Sequence, residues 1–423
     1  MKLQAGTVPT VFAWSSTNTG RRTSNRSRLC EAVEVGTPQD ADASTSSLNT
    51  DTDTPEEETP QDASASSFSI VATSPPYPDH DYTARPLSLE ERYEEACKFI
   101  ALQEEEIRKL RNERFFLQRF QCDDGQIRYY TGFKDYQTLM DVFKALQPTA
   151  ETMVGWSQAQ RLKQMGKDII RQGCREQSLP LSDQFFLFLC RLRQGYSVAD
   201  LASLFSVSLA TVSRICITWT NFVYHMLGSL EIWPSRQTVD ELMPQSFKNS
   251  FPKTRVVIDC TELPLQKPSS KVLSSEAFSF YKGVTTLKSL IGITPSGTLS
   301  FVSDLYTGSI SDKEITNLCG ILNLLEKGDE VMADKGFPIS DLLSPLGVTL
   351  AIPPFISNDR QLTQEELAKT EKIGALRIHV EREIRRIKEY HIFDPPLAIT
   401  TLGSINQIWK VCALLTMLQD PLF

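Results

Sequence analysis

Apolar positions change their period along the chain, and the changes divide it. From Tyr93 they recur at alternating spacings of three and four: Tyr93, Ala96, Ile100, Gln103, Ile107, Leu110, Arg114, Leu117. This predicts one long helix over 88–121, opened by a Ser88/Glu91 capping box. About four heptads, with Gln103 and Arg114 as polar seam positions, fit a coiled coil and so a homodimer. A helix packed on its own domain fits the same pattern. Mixed helical patterning follows over 123–180, with helices expected near 133–146 and 158–172.

The stretch LSDQFFLFLCRLRQGYSVADLASLFSVSLATVSRICITWTNFVYHML, about 181–228, divides into three helices. Gln194-Gly195-Tyr196 ends the first. Ser197 caps the second with Asp200 at its third position, and Ser206-Val207 turns into a third capped by Ser208. Two helices joined by a short turn are the helix-turn-helix pattern. If it reads DNA, Ser208, Thr211, Ser213 and Arg214 open the recognition helix. A compact bundle supporting the next domain fits equally well.

From Thr254 the pattern shortens to strand-length runs. TRVVIDC, LKSLIGITP, TLSFVSDLY, EVMADKG and VTLAIPP predict five strands, the second and third joined at Pro295-Ser296-Gly297. SDKEITNLCGILNLLEKG predicts a helix capped at Ser311 and ended by Gly328. A basic helix over 365–390 carries one apolar stripe: Ile373, Leu376, Val380, Ile384, Ile387. The expected fold is α/β: an RNase H-like mixed five-stranded sheet with flanking helices, after an all-α region.

Composition sharpens the division. The chain has 423 residues and a net charge of −8. Residues 1–90 hold six Lys/Arg against thirteen Asp/Glu; the rest holds thirty-eight against thirty-nine. The acidity therefore belongs to the N-terminal segment, and whole-chain charge excludes no partner. No Lys or Arg occurs between 31 and 84. So Ser/Thr/Pro-rich and acidic a segment is expected to be disordered. The expected organisation is a disordered segment 1–85, a coiled coil 86–122, a helical region 123–250 and an α/β domain 251–423. Arg21, Arg22, Arg26 and Arg28 form a basic cluster that fits a nuclear import signal or an incidental patch. Nine cysteines and four histidines lie scattered, without zinc-finger clustering or a disulfide framework. No apolar run reaches a membrane span, and no leader-like cleavage site opens the chain.

Candidate chemistry rests on acids. Asp259 and Asp334 each end an apolar strand run, where an unpaired charge is costly and a metal, Arg or Lys is wanted. Strand-end ion pairs with Lys335 or Arg255 are the plain alternative. On the basic helix, Glu381 and Glu383 both flank the apolar stripe. Glu381 shares its edge with Arg377, Lys388 and Arg385, a setting for a phosphate backbone. Glu383 reads as a surface pair with Arg386.

Four runs, VVIDCTELPLQKPSS, YKGVTTLKSLIGITPSGTLSFVSDLYTGSISDKEI, GDEVMADKGF and RIHVEREIRRIKEY, together resemble the DDE superfamily endonuclease domain of PIF/Harbinger-like transposases. LSDQFFLFLCRLRQGYSVADLASLFSVSLATVSRI resembles the helix-turn-helix before it, and DDGQIRYYTGF also has a counterpart there. The resemblance implies a metal-dependent DNA endonuclease whose divalent ions, Mg²⁺ or Mn²⁺, are held by Asp259, Asp334 and Glu381. It implies DNA as partner; with the basic cluster and the lack of an apolar span, the expected location is the nucleus, alone or together with the cytoplasm, and no membrane. Asp312 matches a recurrent family position, but Ser311 and Glu314 place it in a helix's first turn, outside the triad. Glu262 and Asp304 read as surface or structural acids. Relatives often begin with a THAP-type zinc finger, and this chain has no such cluster. A domesticated, catalytically silent DNA- or protein-binding derivative is therefore the alternative.

Overall fold

The structure, a computed structural model, describes residues 88–166, 179–354 and 363–422. The acidic segment 1–85 and the basic cluster at 21–28 lie outside the described residues, as does the far end of the expected 158–172 helix.

Helix α1 (Leu89–Glu113) opens on the expected capping box. The Glu91 backbone N–H donates to Ser88 Oγ, and the Ser88 N–H donates back to Glu91 Oε2. Tyr93, Phe99, Ile100, Leu102 and Ile107 stand exposed along α1. The helix stops eight residues before the predicted end. Leu117, expected on the heptad seam, is instead buried in a 3₁₀ turn (Leu117–Phe120) of the helical region that follows. The buried Asp183 carboxylate accepts the Leu117 N–H (2.8 Å) and so fixes that turn.

The helical region comprises α2 (Asp124–Thr131), α3 (Tyr136–Ala150), α4 (Trp156–Gln164), α5 (Leu181–Gln194), α6 (Val198–Leu204), α7 (Leu209–Gly228), α8 (Arg236–Leu242) and α9 (Gln245–Ser250). Phe185, Phe186, Phe188 and Trp219 are fully buried at its centre. Gly195 ends α5 at φ +66°, where a Cβ would strike the His391 carbonyl, so no larger residue fits. Ser197 and Asp200 form a reciprocal capping box on α6, and Ser208 caps α7. The chain bends by 108° between α6 and α7, within the range of helix-turn-helix units. Ser206 takes the left-handed position at the turn (φ 53°).

The sheet is built from β1 (Thr254–Pro264), β2 (Phe278–Ser279), β3 (Val284–Ile293), β4 (Leu299–Val302), β5 (Tyr306–Thr307), β6 (Glu330–Met332) and β7 (Thr349–Ala351). Its order is β2-β3-β1-β6-β7, with β4 and β5 also on β3 as one interrupted edge. β1, β6 and β7 run parallel, and β3 is antiparallel to β1 and to β4. The sheet is mixed, as expected. Helices α10 (Lys271–Glu276), α11 (Asp312–Leu318), α12 (Ser340–Leu343), α13 (Gln364–Lys388) and α14 (Ile405–Thr416) complete the described part. α11 ends well short of Gly328, because Gly320 turns left-handed at φ +87° and breaks the helix after two turns.

β1 is buried on both faces, as a central strand should be. Val256 and Ile258 face a core with Ile315 and Phe337. Val257 and Leu263 face a second core that holds Val380 and Ile387 of α13 and continues into the aromatic centre of the helical region. Helix α14 packs against α7, so sheet and helix-turn-helix share that core. Among the described residues, no single helix is long and apolar enough to cross a membrane.

Candidate active site

Register brings two acids to one level. In the parallel pair, Val257 lies opposite Met332. Asp259 and Asp334 each follow two residues later, Asp334 just past the end of β6. Asp259 does not end its strand: β1 runs five residues further, to Pro264. A charge survives there, beside the apolar stripe of α13, because the Arg377 guanidinium of that helix faces it.

Helix α13 lays Arg377 and Glu381, one turn apart, over that level. The Arg377 guanidinium reaches all three expected acids. Nη1 lies 3.7 Å from Asp259 Oδ2, and Nη2 lies 3.6 Å from Asp334 Oδ1 and 2.9 Å from Glu381 Oε1. One cation thus faces three carboxylates. The cluster opens to solvent on one side: Asp259 is 22 % exposed, Asp334 48 % and Glu381 50 %. Burial pushes the Asp259 carboxyl up to about 6, opposed by Arg377 and by the Cys260 N–H on its Oδ1, and reinforced by Glu381 and Asp334.

Glu383, read from sequence as a surface pair with Arg386, is buried on the opposite side of α13. It accepts a hydrogen bond from the Thr416 hydroxyl of α14. Burial holds its carboxyl above the usual range. Only Glu381 therefore shares a cation with the two aspartates. One of the strand-end partners expected, Arg255, goes elsewhere: it is buried against Trp233 and the Pro234 carbonyl.

The basic edge is less free than its spacing suggests. Arg377 is engaged by the acids. Lys388 donates to the Glu262 main-chain carbonyl (3.1 Å), and burial, then Lys282, depress its pKa. Arg385 is exposed. In the helix-turn-helix, Ser208 and Thr211 bond each other (2.9 Å), Arg214 Nη2 donates to Thr211 Oγ1 (3.3 Å), and Ser213 and Arg214 face solvent. Asp304 pairs with Lys410 (2.7 Å), and Glu262 accepts the Thr286 hydroxyl. Asp312 lies across the sheet, paired with Lys288 (2.8 Å).

A hard divalent ion takes oxygen ligands, and three carboxylates on fixed backbone suit one. Among the described residues, no three Asp, Glu, His or Cys side chains stand close enough to hold an ion directly. The guanidinium explains this: it fills the space between the acids with the positive charge they need. The donor chemistry fits a metal, provided Arg377 yields its place.

Fold and site together give a partly RNase H-like mixed sheet with three acids around one guanidinium, preceded by a helix-turn-helix. Residues 258–417 match the family described as DDE superfamily endonuclease. Residues 177–229 match the one described as helix-turn-helix of DDE superfamily endonuclease. The chain therefore carries a DDE superfamily endonuclease domain and the transposase helix-turn-helix that precedes it. Endonucleases of this superfamily generally use divalent metals. No curated protein matches the chain.

Proposed function

We propose that the chain is a divalent-metal-dependent DNA endonuclease derived from a PIF/Harbinger-like transposase. The observation that carries this reading is the convergence of Asp259, Asp334 and Glu381 on one cation position. Those three residues would hold Mg²⁺ or Mn²⁺, which supplies activation of an attacking oxygen and stabilisation of the leaving oxygen of a phosphodiester. The chain's own residues position the substrate. Ser208, Thr211, Ser213 and Arg214 at the head of α7 meet the duplex, and Arg385 meets its backbone. Arg377, released from the acids, reaches a phosphate oxygen. The test is cleavage of terminal-repeat DNA by purified protein with Mg²⁺ or Mn²⁺. Cleavage that survives Asp259→Asn at the wild-type rate overturns the reading.

The same ion pairs favour one second reading. A guanidinium that stays among the acids leaves a silent derivative, which binds DNA or a protein without cutting. Calorimetry with Mn²⁺ separates the two, because only the nuclease gives divalent-ion binding that Asp334→Ala abolishes.

Two further assignments belong to this proposal. The exposed heptad positions Tyr93, Ile100 and Ile107 of α1 pair with a second copy as a coiled coil, and a monomeric mass by light scattering overturns that. The arginines at 21, 22, 26 and 28 direct the chain to the nucleus, tested by imaging a variant with all four changed to Ala.

A further inference from the structure

Beyond the carboxylates, the chain presents a second surface that the nuclease reading leaves unused. Strands β2 and β3 pair with Phe278 opposite Thr285 and Ser279 opposite Val284. The four residues between them, Phe280 to Gly283, form a tight tip. The Gly283 N–H donates to the Ser279 carbonyl (2.8 Å), the Lys282 N–H donates to Ser279 Oγ (3.2 Å), and Gly283 takes φ +70°. The tip is therefore bonded in place. Yet Phe280 is 87 % and Tyr281 86 % exposed, against the general burial of large aromatics.

The surroundings of these rings are cationic and polar. Lys282 Nζ lies 5.1 Å from the centre of the Tyr281 ring. Phe280 and Phe278 form a T-shaped pair at 5.4 Å, and most of the Phe280 ring remains open to solvent. Beside it a shallow cleft of about 380 Å³ is lined by Lys267, Ser269, Lys271, Ser274 and Phe280, among others. Residues 265–284 hold three lysines against the single acid Glu276, in a folded part that is otherwise near neutral. Protein-binding patches are poor in lysine at their centre. Exposed aromatic faces interleaved with lysines are the makeup of surfaces that take unpaired nucleic acid: the rings stack bases and the ammonium groups follow phosphates. Bases in a duplex are already stacked and offer no free face.

The hairpin grows from the strand that pairs beside the carboxylates. Asp259 lies opposite Ile291 of β3, seven residues from Val284 at the root of the hairpin. At about 3.4 Å per residue this is about 24 Å, the span of roughly seven nucleotides of one DNA strand. Lys388 stands between, within electrostatic reach of both Lys282 and Asp259.

We infer that the β2–β3 hairpin tip, with Phe280, Tyr281 and Lys282, is a docking site for single-stranded DNA, stacking unpaired bases of the strand that extends from the carboxylate site. The inference rests on the DNA reading above in naming the nucleic acid. It goes beyond that reading in assigning an unpaired strand and the residues that hold it.

The test is binding to full-length protein in EDTA, so that cleavage does not intervene. Two probes are used: a blunt duplex, and the same duplex with a ten-nucleotide single-stranded tail. Wild type binds the tailed probe at least about 10-fold tighter, since each stacked base contributes roughly that factor. The double variant Phe280→Ala/Tyr281→Ala loses the gain while keeping its melting temperature and blunt-duplex affinity. Phe280→Trp/Tyr281→Trp retains the gain. Equal affinity of wild type for both probes overturns this inference alone, as does an unchanged gain in the double Ala variant. Loss of blunt-duplex binding in the Ala variant also overturns it, since the rings then do not act on unpaired bases. Failure of wild type to bind either probe overturns it together with the DNA reading.

Discussion

The two faces of β1 carry two different solutions to charge in a sheet. On one face Lys288 of β3 meets Asp312 of α11 at 2.8 Å, one cation to one carboxylate, with the lysine only 11 % exposed. Glu262 beside it is satisfied by the Thr286 hydroxyl. On the other face one guanidinium serves Asp259, Asp334 and Glu381, none closer than 2.9 Å, and the cluster is open to solvent. A balanced, covered pair fixes an element; here it anchors the start of α11 to the sheet. A surplus of two negative charges at an open position repels itself and attracts whatever cation can enter. The difference lies in stoichiometry and access, since both faces use the same side-chain chemistry.

The sharpest way to break this contrast is to neutralise one acid on each face. Asp259→Asn or Asp334→Asn is expected to lower metal-dependent DNA cleavage by about 10³-fold or more, roughly 4 kcal/mol of transition-state stabilisation. Asp312→Asn leaves cleavage within about 3-fold. Single-turnover assays with Mn²⁺ decide it; comparable losses on both faces would erase the distinction. Stability shows the converse. Lys288→Met strands Asp312 against the sheet and is expected to cost about 2 kcal/mol in urea unfolding. That is less than for a fully buried pair, since Asp312 is 28 % exposed. Mn²⁺ affinity of this variant stays at the wild-type value.

Much of this was legible in the chain, and the gaps have causes. The strand-length apolar runs gave β1, β3, β4, β6 and β7 but not the two-residue β2 and β5, and Asp259 and Asp334 stood out as charges against them. What the runs could not give was the register that puts both acids on one level, because pairing across β1 and β6 joins residues some 75 apart. Glu381 and Glu383 flank one stripe equally in sequence. Their fates diverge because Thr416, on another helix, receives Glu383. Arg377 was read as a phosphate contact from its place on the basic edge. Its three acidic partners come from β1, the end of β6 and its own helix, so only folding assembles them. Leu117 kept the heptad spacing by chance, and Asp183, sixty-six residues on, is what holds its turn in the core. The Phe280–Tyr281 tip carried a signal, adjacent aromatics between lysines, that periodicity passes over.

Arg377 offers the next test, because it makes the open face resemble the closed one. Arg377→Met removes the guanidinium that the three acids share. Mn²⁺ affinity is expected to rise about 10-fold, roughly 1.4 kcal/mol. Stability in EDTA falls by about 1 kcal/mol and returns on adding Mn²⁺. Calorimetry and thermal melts report both. Unchanged ion affinity would mean that the guanidinium is a bystander rather than a competitor.

The smallest effect sharpens the closed face. Burial alone would lower the Lys288 pKa, but Asp312 outweighs it and the net shift is upward from 10.5, with Cys260 and Glu262 also favouring the charged form. The folded chain thus holds this proton more tightly than the unfolded chain. The stabilisation is full below the ordinary lysine value and is lost as pH rises through the raised one. The stability gap between wild type and Lys288→Met should stay flat from pH 7 to about 10, then narrow by no more than about 1.4 kcal/mol per pH unit. Other alkaline titrations, those of tyrosines and cysteines, largely cancel in the difference. A gap that widens with pH would reverse the sign of the pairing and undo the reading of Lys288 and Asp312 as the balanced partners.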